Sequence, residues 1–313
     1  MDKKNFYGFI LSIYKELILN IFELKLSHFI GNTPVIELER HIFLKAEIFN
    51  PTGSIKDRPA FRIIDDAERR GIIKPGDTLV EATSGNMGIS LAWLAAERGY
   101  QMQIIMPSNM SHERKMTLQL YGAHLIEVEP GDFDGAIALR DDLALQHGWF
   151  NCNQFANPLN ILAHRETTAD EIIRYCELNQ IVPVAFLTGT GTGGTLMGAG
   201  LRLREIYPDL KIIAIEPDES PVMSGGSPGL HGIQGIGDGS KFLVDLNQVD
   251  EIIRVPTERA RMEAQRLARE SGLFVGISSG ANVWAARQIS QQFQGPIFTF
   301  LCDRGERYFS CLG

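Results

Sequence analysis

From residue 35 onward, short apolar runs of strand character alternate with longer stretches of helical spacing, and this alternation limits the fold more than any other feature. Strands are expected at His41–Ile48, Thr78–Glu81, Gln103–Met106, His124–Val128, Val184–Leu187, Lys211–Ile215 and Ile297–Leu301. Helices are expected at Ala60–Arg70, Gly88–Arg98, Glu113–Tyr121, Phe133–His147, Ala169–Leu178, Gly194–Ile206, Glu258–Glu270 and Gly280–Gln292. Such a succession predicts an α/β fold with mostly parallel sheets flanked by helices. The irregular polar stretch near residues 150–165 predicts a crossing between two lobes. Ser220–Asp245 is Gly-rich without periodicity and reads as a long ordered loop, of the kind that lies near active sites.

Bulk properties narrow the function. A chain of 313 residues with net charge −8 has no basic patch, which argues against nucleic acid as a partner. Its four cysteines form no CxxC pair and its seven histidines no HExxH-like group, so no metal site is expected. The cysteines read as reduced thiols of a cytoplasmic protein. Residues 1–25 place Phe6, Ile10, Ile13, Tyr14, Leu17, Ile21 and Phe22 at helical spacing. No apolar run there is long enough to span a bilayer, so an amphipathic helix is expected, packed on its own domain or on a second subunit.

Three loops and one lysine carry the chemistry. Lys56 follows a Pro-Thr-Gly-Ser turn and sits near a helix start, where scarce solvent and the helix dipole disfavour the ammonium and free the lone pair for imine formation. Taken alone it reads first as an ordinary solvated first-turn residue, since charged residues in first turns are common. Thr83-Ser84-Gly85-Asn86-Met87-Gly88 stands between strand and helix and can hold a carboxylate, or simply cap the helix. Gly189-Thr190-Gly191-Thr192-Gly193-Gly194-Thr195 is a glycine cradle for an oxyanion. It also satisfies GxGxxG, and Glu216 closes the next strand about 20 residues on, the dinucleotide pattern. Gly276-Ile277-Ser278-Ser279-Gly280 is a further strand–helix junction with a hydroxyl to offer a ring nitrogen. Pyridoxal 5′-phosphate requires the ensemble of lysine, phosphate cradle and ring-nitrogen partner, whereas a nicotinamide enzyme has no use for the upstream lysine.

The motifs Ile30–Pro34, Asn50–Arg58, Thr83–Asn86, Gln154–Pro158, Gly191–Thr195, Gly232–Gly237 and Gly276–Gly280 resemble the cysteine synthase (O-acetylserine sulfhydrylase) branch of the fold-type II pyridoxal-phosphate enzymes. The resemblance runs in order from about residue 26 to the C-terminus. Cys302–Tyr308 is similar to the B-type branch, while the Gly189–Thr195 and Ser224–Gly237 segments are closer to the A-type. It implies a small lobe of residues 50–155 and a large lobe of residues 26–49 plus 156–313. It also implies that Lys56 is the imine-forming lysine and that Asn86 bonds the cofactor's 3′-oxygen. Gly191, Thr192, Gly193, Gly194 and Thr195 would hold the phosphate and Ser278 the pyridine nitrogen. Thr83, Ser84, Gln154 and the position of Met87 would grip the substrate carboxylate.

The implied reaction is β-replacement: O-acetyl-L-serine and sulfide give L-cysteine and acetate through an enzyme-bound aminoacrylate, with Lys56 moving the α-proton. A homodimer is implied, and serine acetyltransferase is a candidate partner. Position 87, usually threonine in the family, is Met87, as it is apolar in related 2,3-diaminopropionate synthases that use O-phosphoserine. The alternatives are therefore another donor or acceptor, cystathionine synthesis among them. A nicotinamide-dependent oxidoreductase and a binding protein without turnover also remain.

Overall fold

The computed structural model describes residues 24–83 and 85–312. The helix expected over residues 1–25 therefore lies, for residues 1–23, outside the described part, as does Ser84.

The chain builds two sheets. The larger has the order β1-β2-β10-β7-β8-β9, from β1 (Val35–Glu39), β2 (Ile42–Ala46), β7 (Ala185–Gly189), β8 (Lys211–Pro217), β9 (Glu251–Val255) and β10 (Ile297–Leu301). Only the β1–β2 hairpin is antiparallel in it. The smaller is fully parallel, in the order β5-β4-β3-β6, from β3 (Thr78–Ala82), β4 (Gln101–Pro107), β5 (His124–Val128) and β6 (Phe150–Asn151).

Helices cover both faces of each sheet, and this is why the central strands read as unbroken apolar runs rather than alternating ones. In β10, Ile297 and Leu301 face a core shared with Leu44, Leu187, Ile277 and Val283, while Phe298 and Phe300 face one shared with Phe43, Phe186 and Ile212. The first core lies under α8 (Thr257–Ser271) and α9 (Ile277–Ile289), the second under α6 (Ala169–Asn179) and α7 (Gly194–Ile206). On the smaller sheet, Leu79 and Ile104 pack with α1 (Asp57–Arg69) and α2 (Asn86–Arg98). Val80, Ala82 and Ile105 pack with α4 (Phe133–His147), and α3 (His112–Leu120) links β4 to β5.

Each sheet contains a point where the strand order reverses. The chain leaves β3 for β4 and β5 on one side and returns to β6 on the other; it leaves β7 for β8 and β9 and returns to β10. Parallel sheets open a crevice at the carboxyl ends of strands at such points, where the two crossovers part. The Thr83–Gly85 loop, the Thr190–Gly193 loop and Cys302–Asp303 follow the carboxyl ends of β3, β7 and β10, and the Lys56 turn follows β2.

The expected strands and helices are present with ends shifted by a few residues. The stretch near residues 150–165, read as irregular, instead runs into α5 (Pro158–Ala163), which continues through a π-helical turn, His164–Thr168, into α6. Asn157 caps α5, accepting from Leu159 N at 3.0 Å, and Pro158 takes the first helical position, where its missing N–H costs nothing. Ser220–Asp245 is a long loop without strand or helix, as expected.

Candidate active site

Lys56 stands at the N-cap of α1. The turn before it is stitched to the segment after β10: Ile55 N donates to Cys302 O at 2.8 Å and Arg304 N to Gly53 O at 3.1 Å. Asp57 closes the turn from below, accepting from Thr52 N at 2.8 Å, Thr52 Oγ1 at 2.5 Å and Ser90 Oγ at 2.6 Å. Arg58 anchors the far side, donating to Glu47 Oε2 at 2.7 Å and Oε1 at 2.8 Å, and to Glu171 Oε1 at 2.7 Å and Oε2 at 2.8 Å. Burial pulls the Lys56 ammonium below the usual lysine range, opposed by the charges of Asp238, Cys302 and Asp303.

The second element of the site is the loop between β7 and α7. Gly189 N donates to Asn282 Oδ1 at 2.7 Å, and Thr190 N to Ile215 O at 2.9 Å. Gly193 has φ +88°, a left-handed conformation that glycine adopts without penalty. The first-turn N–H groups of α7 have no acceptor within the helix, and their positive dipole end faces the loop. Thr192 Oγ1 accepts from Asn160 Nδ2 at 2.9 Å, and Thr195 Oγ1 lies 3.2 Å from His164 Nε2. Burial, then the charges of Arg58 and Lys56, hold His164 well below the usual histidine range, so this ring is neutral.

Lys56, Asn86, Gly191, Thr192, Gly193, Gly194, Thr195 and Ser278 line one cavity, together with Ile55, Gly235, Ile236 and Cys302. Ser278 is buried in the first turn of α9. Cys302 is held beside it: its N–H donates to Ser279 Oγ at 2.8 Å and its sulfur accepts from Asn282 Nδ2 at 3.3 Å. Burial, then the Asp303 charge, push its thiol up to about 12. Gly235 and Ile236 also line a second cavity, formed by Asn109, Asp132, Gly229–His231 and Gln234–Gly239, which places the long loop at the mouth of the site.

Of the other expected residues, Thr83, Met87 and Gln154 do not line this cavity, and Ser84 lies outside the described residues. Thr83 is buried, its Oγ1 accepting from Gly85 N at 3.0 Å. Gln154 Nε2 donates to Ala82 O at 2.8 Å, which sets its carboxamide against the Thr83 loop. Met87 sends its side chain into the apolar core beneath α2, so only its backbone N–H can face a ligand. Glu216, the acid of the dinucleotide pattern, accepts from Met223 N at 2.7 Å, Ser224 N at 3.1 Å and Ser224 Oγ. Its carboxylate is spent on that loop and has none left for a ribose. Asn160, Asn282, Asp238, Asp303 and Arg307 were not singled out from sequence as site residues.

A family model described as pyridoxal-phosphate dependent enzyme matches residues 26–303. The chain is 44% identical over 299 residues to a cysteine synthase of Staphylococcus aureus, covering 91% of this chain and 95% of that one. Among solved structures, an O-ureido-L-serine synthase aligns with TM-score 0.85 at 39% identity, over 91% of this chain and 93% of that one. A cysteine synthase of Entamoeba histolytica aligns with TM-score 0.84 at 37% identity, over 92% and 89%. With the two-sheet α/β architecture already described, these matches make the chain a member of the fold-type II pyridoxal-phosphate-dependent enzymes.

Proposed function

We propose that the protein is a cysteine synthase, converting O-acetyl-L-serine and sulfide to L-cysteine and acetate, and that Lys56, Asn86, the Gly191–Thr195 loop and Ser278 form its cofactor site. The observation that carries this reading is the convergence of those residues, from distant parts of the chain, on one cavity. The donor set fits pyridoxal phosphate. A Cβ on Gly191 would lie 2.8 Å from Gly235 O, and one on Gly194 would lie 2.0 Å from Asn160 Oδ1, so the loop admits an anion only as bare backbone. The lysine is the amine an aldehyde needs, and burial favours its neutral form.

The cofactor supplies an aldehyde for covalent capture and an electron-withdrawing ring that acidifies the amino acid's α-carbon. Lys56 would hold it, and as a free amine would take the α-proton from Cα as acetate leaves Cβ. After sulfide adds to Cβ, Lys56 returns the proton to Cα. The Gly191–Thr195 N–H groups and the α7 dipole hold the phosphate. Asn86 would bond the 3′-oxygen. Ser278 would offer the ring nitrogen a neutral hydroxyl, which would moderate electron withdrawal and favour loss of a leaving group over a long-lived carbanion. Thr83, Ser84, Gln154 and the Met87 N–H receive the substrate carboxylate at the start of α2. Closure of the lobe of residues 50–155 on the remainder then excludes water.

We further place the protein in the cytoplasm as a homodimer, with exposed Leu24, Leu26 and Phe29 offered for subunit contact and serine acetyltransferase as a candidate ligand of the site. Among the described residues no helix is long and apolar enough to cross a membrane. The test is to load the protein with pyridoxal phosphate and assay cysteine from O-acetylserine and sulfide. Replacement of sulfide by an amine acceptor, or of O-acetylserine by O-phosphoserine, with cysteine formation absent, would overturn the substrate assignment. Lys56→Ala should abolish the covalent cofactor's visible band, and an unchanged spectrum would overturn the role of Lys56.

A further inference from the structure

Asn86 is held on both sides of its amide by residues from the far end of the chain. Its Nδ2 donates to Asp303 Oδ2 at 2.6 Å, and its Oδ1 accepts from Arg307 Nη1. Through Nη2, Arg307 also donates to Thr52 O, in the turn that carries Lys56. Tyr308 OH donates to the same Asp303 oxygen at 2.5 Å and accepts from Arg114 Nη2 at 2.6 Å. Arg114 in turn donates to Gln234 Oε1, 2.7 Å away in the loop at the mouth of the site. Asn86, Arg114, Asp303, Arg307 and Tyr308 are buried, Asp303 and Tyr308 completely, while Thr52 and Gln234 are half-buried.

A carboxamide keeps nearly the same shape when its oxygen and nitrogen change places, so packing alone does not decide which of them faces a ligand. Here charge decides. Flipping the amide would set its oxygen against the Asp303 carboxylate and its NH2 against the Arg307 guanidinium, losing two charge-assisted hydrogen bonds in a buried place. In the observed orientation one Nδ2 hydrogen is spent on Asp303. Asn86 lines the cavity, so the other is the one left for a ligand there.

We infer that Asp303 and Arg307 are positioning residues that lock Asn86 with its second N–H offered to an oxygen of the cofactor ring, and that Arg307 ties this lock to the Lys56 turn. The inference rests on the cofactor placement proposed above. Neither residue touches the reacting atoms; each acts through Asn86, and Arg307 on Oδ1 also makes the amide a better donor.

The experiment compares Arg307→Met, Arg307→Lys and Asp303→Asn, each alone and combined with Asn86→Ala. Full-length protein is loaded with pyridoxal phosphate, and the visible spectrum and cofactor affinity are read. Arg307→Met and Asp303→Asn should each shift the visible band and weaken cofactor binding about tenfold, the scale of one charge-assisted hydrogen bond. Arg307→Lys should recover part of both. In the Asn86→Ala background most of each loss should disappear, leaving only the direct field of Asp303 on Lys56 and the Arg307 tie to Thr52 O. Wild-type spectra and affinities in Arg307→Met and Asp303→Asn would overturn the inference, as would losses that persist undiminished without Asn86. Should Arg307→Met fail to fold by circular dichroism, the Asp303→Asn and Asn86→Ala cycle decides alone. A wild-type protein that takes up no pyridoxal phosphate would instead overturn the cofactor placement.

Discussion

Arg58→Met tests whether the turn bearing Lys56 is held by buried charge. Methionine replaces the stem of Arg58 as far as Nε and lacks the rest of the guanidinium, so the change removes the charge and the hydrogen bonds together with that end group. It would leave Glu47, fully buried, and Glu171, mostly buried, with Lys45 as their remaining cation, 4.0 and 2.7 Å away. Breaking a buried pair by removing one partner costs about 3–5 kcal/mol, because a desolvated charge is left uncompensated. Spread over a chain of this size, that lowers the thermal midpoint by roughly 5–8 °C. The pH dependence is a second readout. Burial pushes the Glu47 carboxyl up, but the charge and hydrogen bonds of Arg58 more than reverse this and hold it below its usual range; Glu171 behaves in the same way. A carboxyl depressed in the folded state contributes stability at neutral pH that is lost as pH falls through its folded pKa. Without Arg58 both carboxyls titrate at higher pH, so the acid side of the stability curve should move up. Thermal melts followed by circular dichroism from neutral to acid pH measure both effects, with Arg58→Lys as a partial rescue. A midpoint unchanged at neutral pH and an unmoved acid limb would refute the reasoning.

Gly194→Ala forces a methyl to within 2.0 Å of Asn160 Oδ1, on a side chain that also bonds Thr192 Oγ1 and Gln154 O. Overpacking of about 1–3 kcal/mol should appear as a loss of pyridoxal-phosphate affinity of roughly five- to 150-fold by fluorescence titration; Asn160→Gly in the same background should restore part of it. Asp238 is the foremost charge opposing the burial effect on Lys56, so Asp238→Asn should lower the Lys56 pKa further. Since Lys56 accepts a proton as the neutral amine, the rising limb of kcat against pH should shift to lower pH; a limb that stays in place would show that another group sets it.

What the sequence displayed was local. Glycine, hydroxyl and amide residues clustered between a strand and a helix marked each loop, and the cavity gathers those of Gly191–Thr195, Asn86 and Ser278 with Lys56. What it hid depends on distance along the chain. Asn86 and Asp303 are 217 residues apart, and Arg307 and Asn86 are 221 apart; no spacing rule connects them. Cys302–Tyr308 stood out only as a mark of one branch, although its aspartate, arginine and tyrosine run into the site. At position 87 the sequence shows the loss of a hydroxyl but not where the replacing side chain goes; the helix beginning at Asn86 turns the Met87 side chain into the core. The β9 strand escaped notice because its half-exposed residues lack the unbroken apolar run of its neighbours.

The charges nearest Lys56 in sequence are arranged so that none serves it. Asp57, the next residue, would be a ready counter-ion, yet its oxygens accept from Thr52 and Ser90. Arg58 would repel an ammonium, yet its guanidinium is engaged by Glu47 and Glu171 on the other side of the turn. With both neighbours satisfied elsewhere, burial is left as the largest influence on the Lys56 amine, and only the weaker charges of Asp238, Cys302 and Asp303 oppose it. An apolar turn of equal volume would be as stable or more so, because desolvating ions is expensive. What the polar version adds is direction: the hydrogen bonds of Asp57 and Arg58 fix the chain on both sides of Lys56, and neither neighbour's charge is spent on its amine.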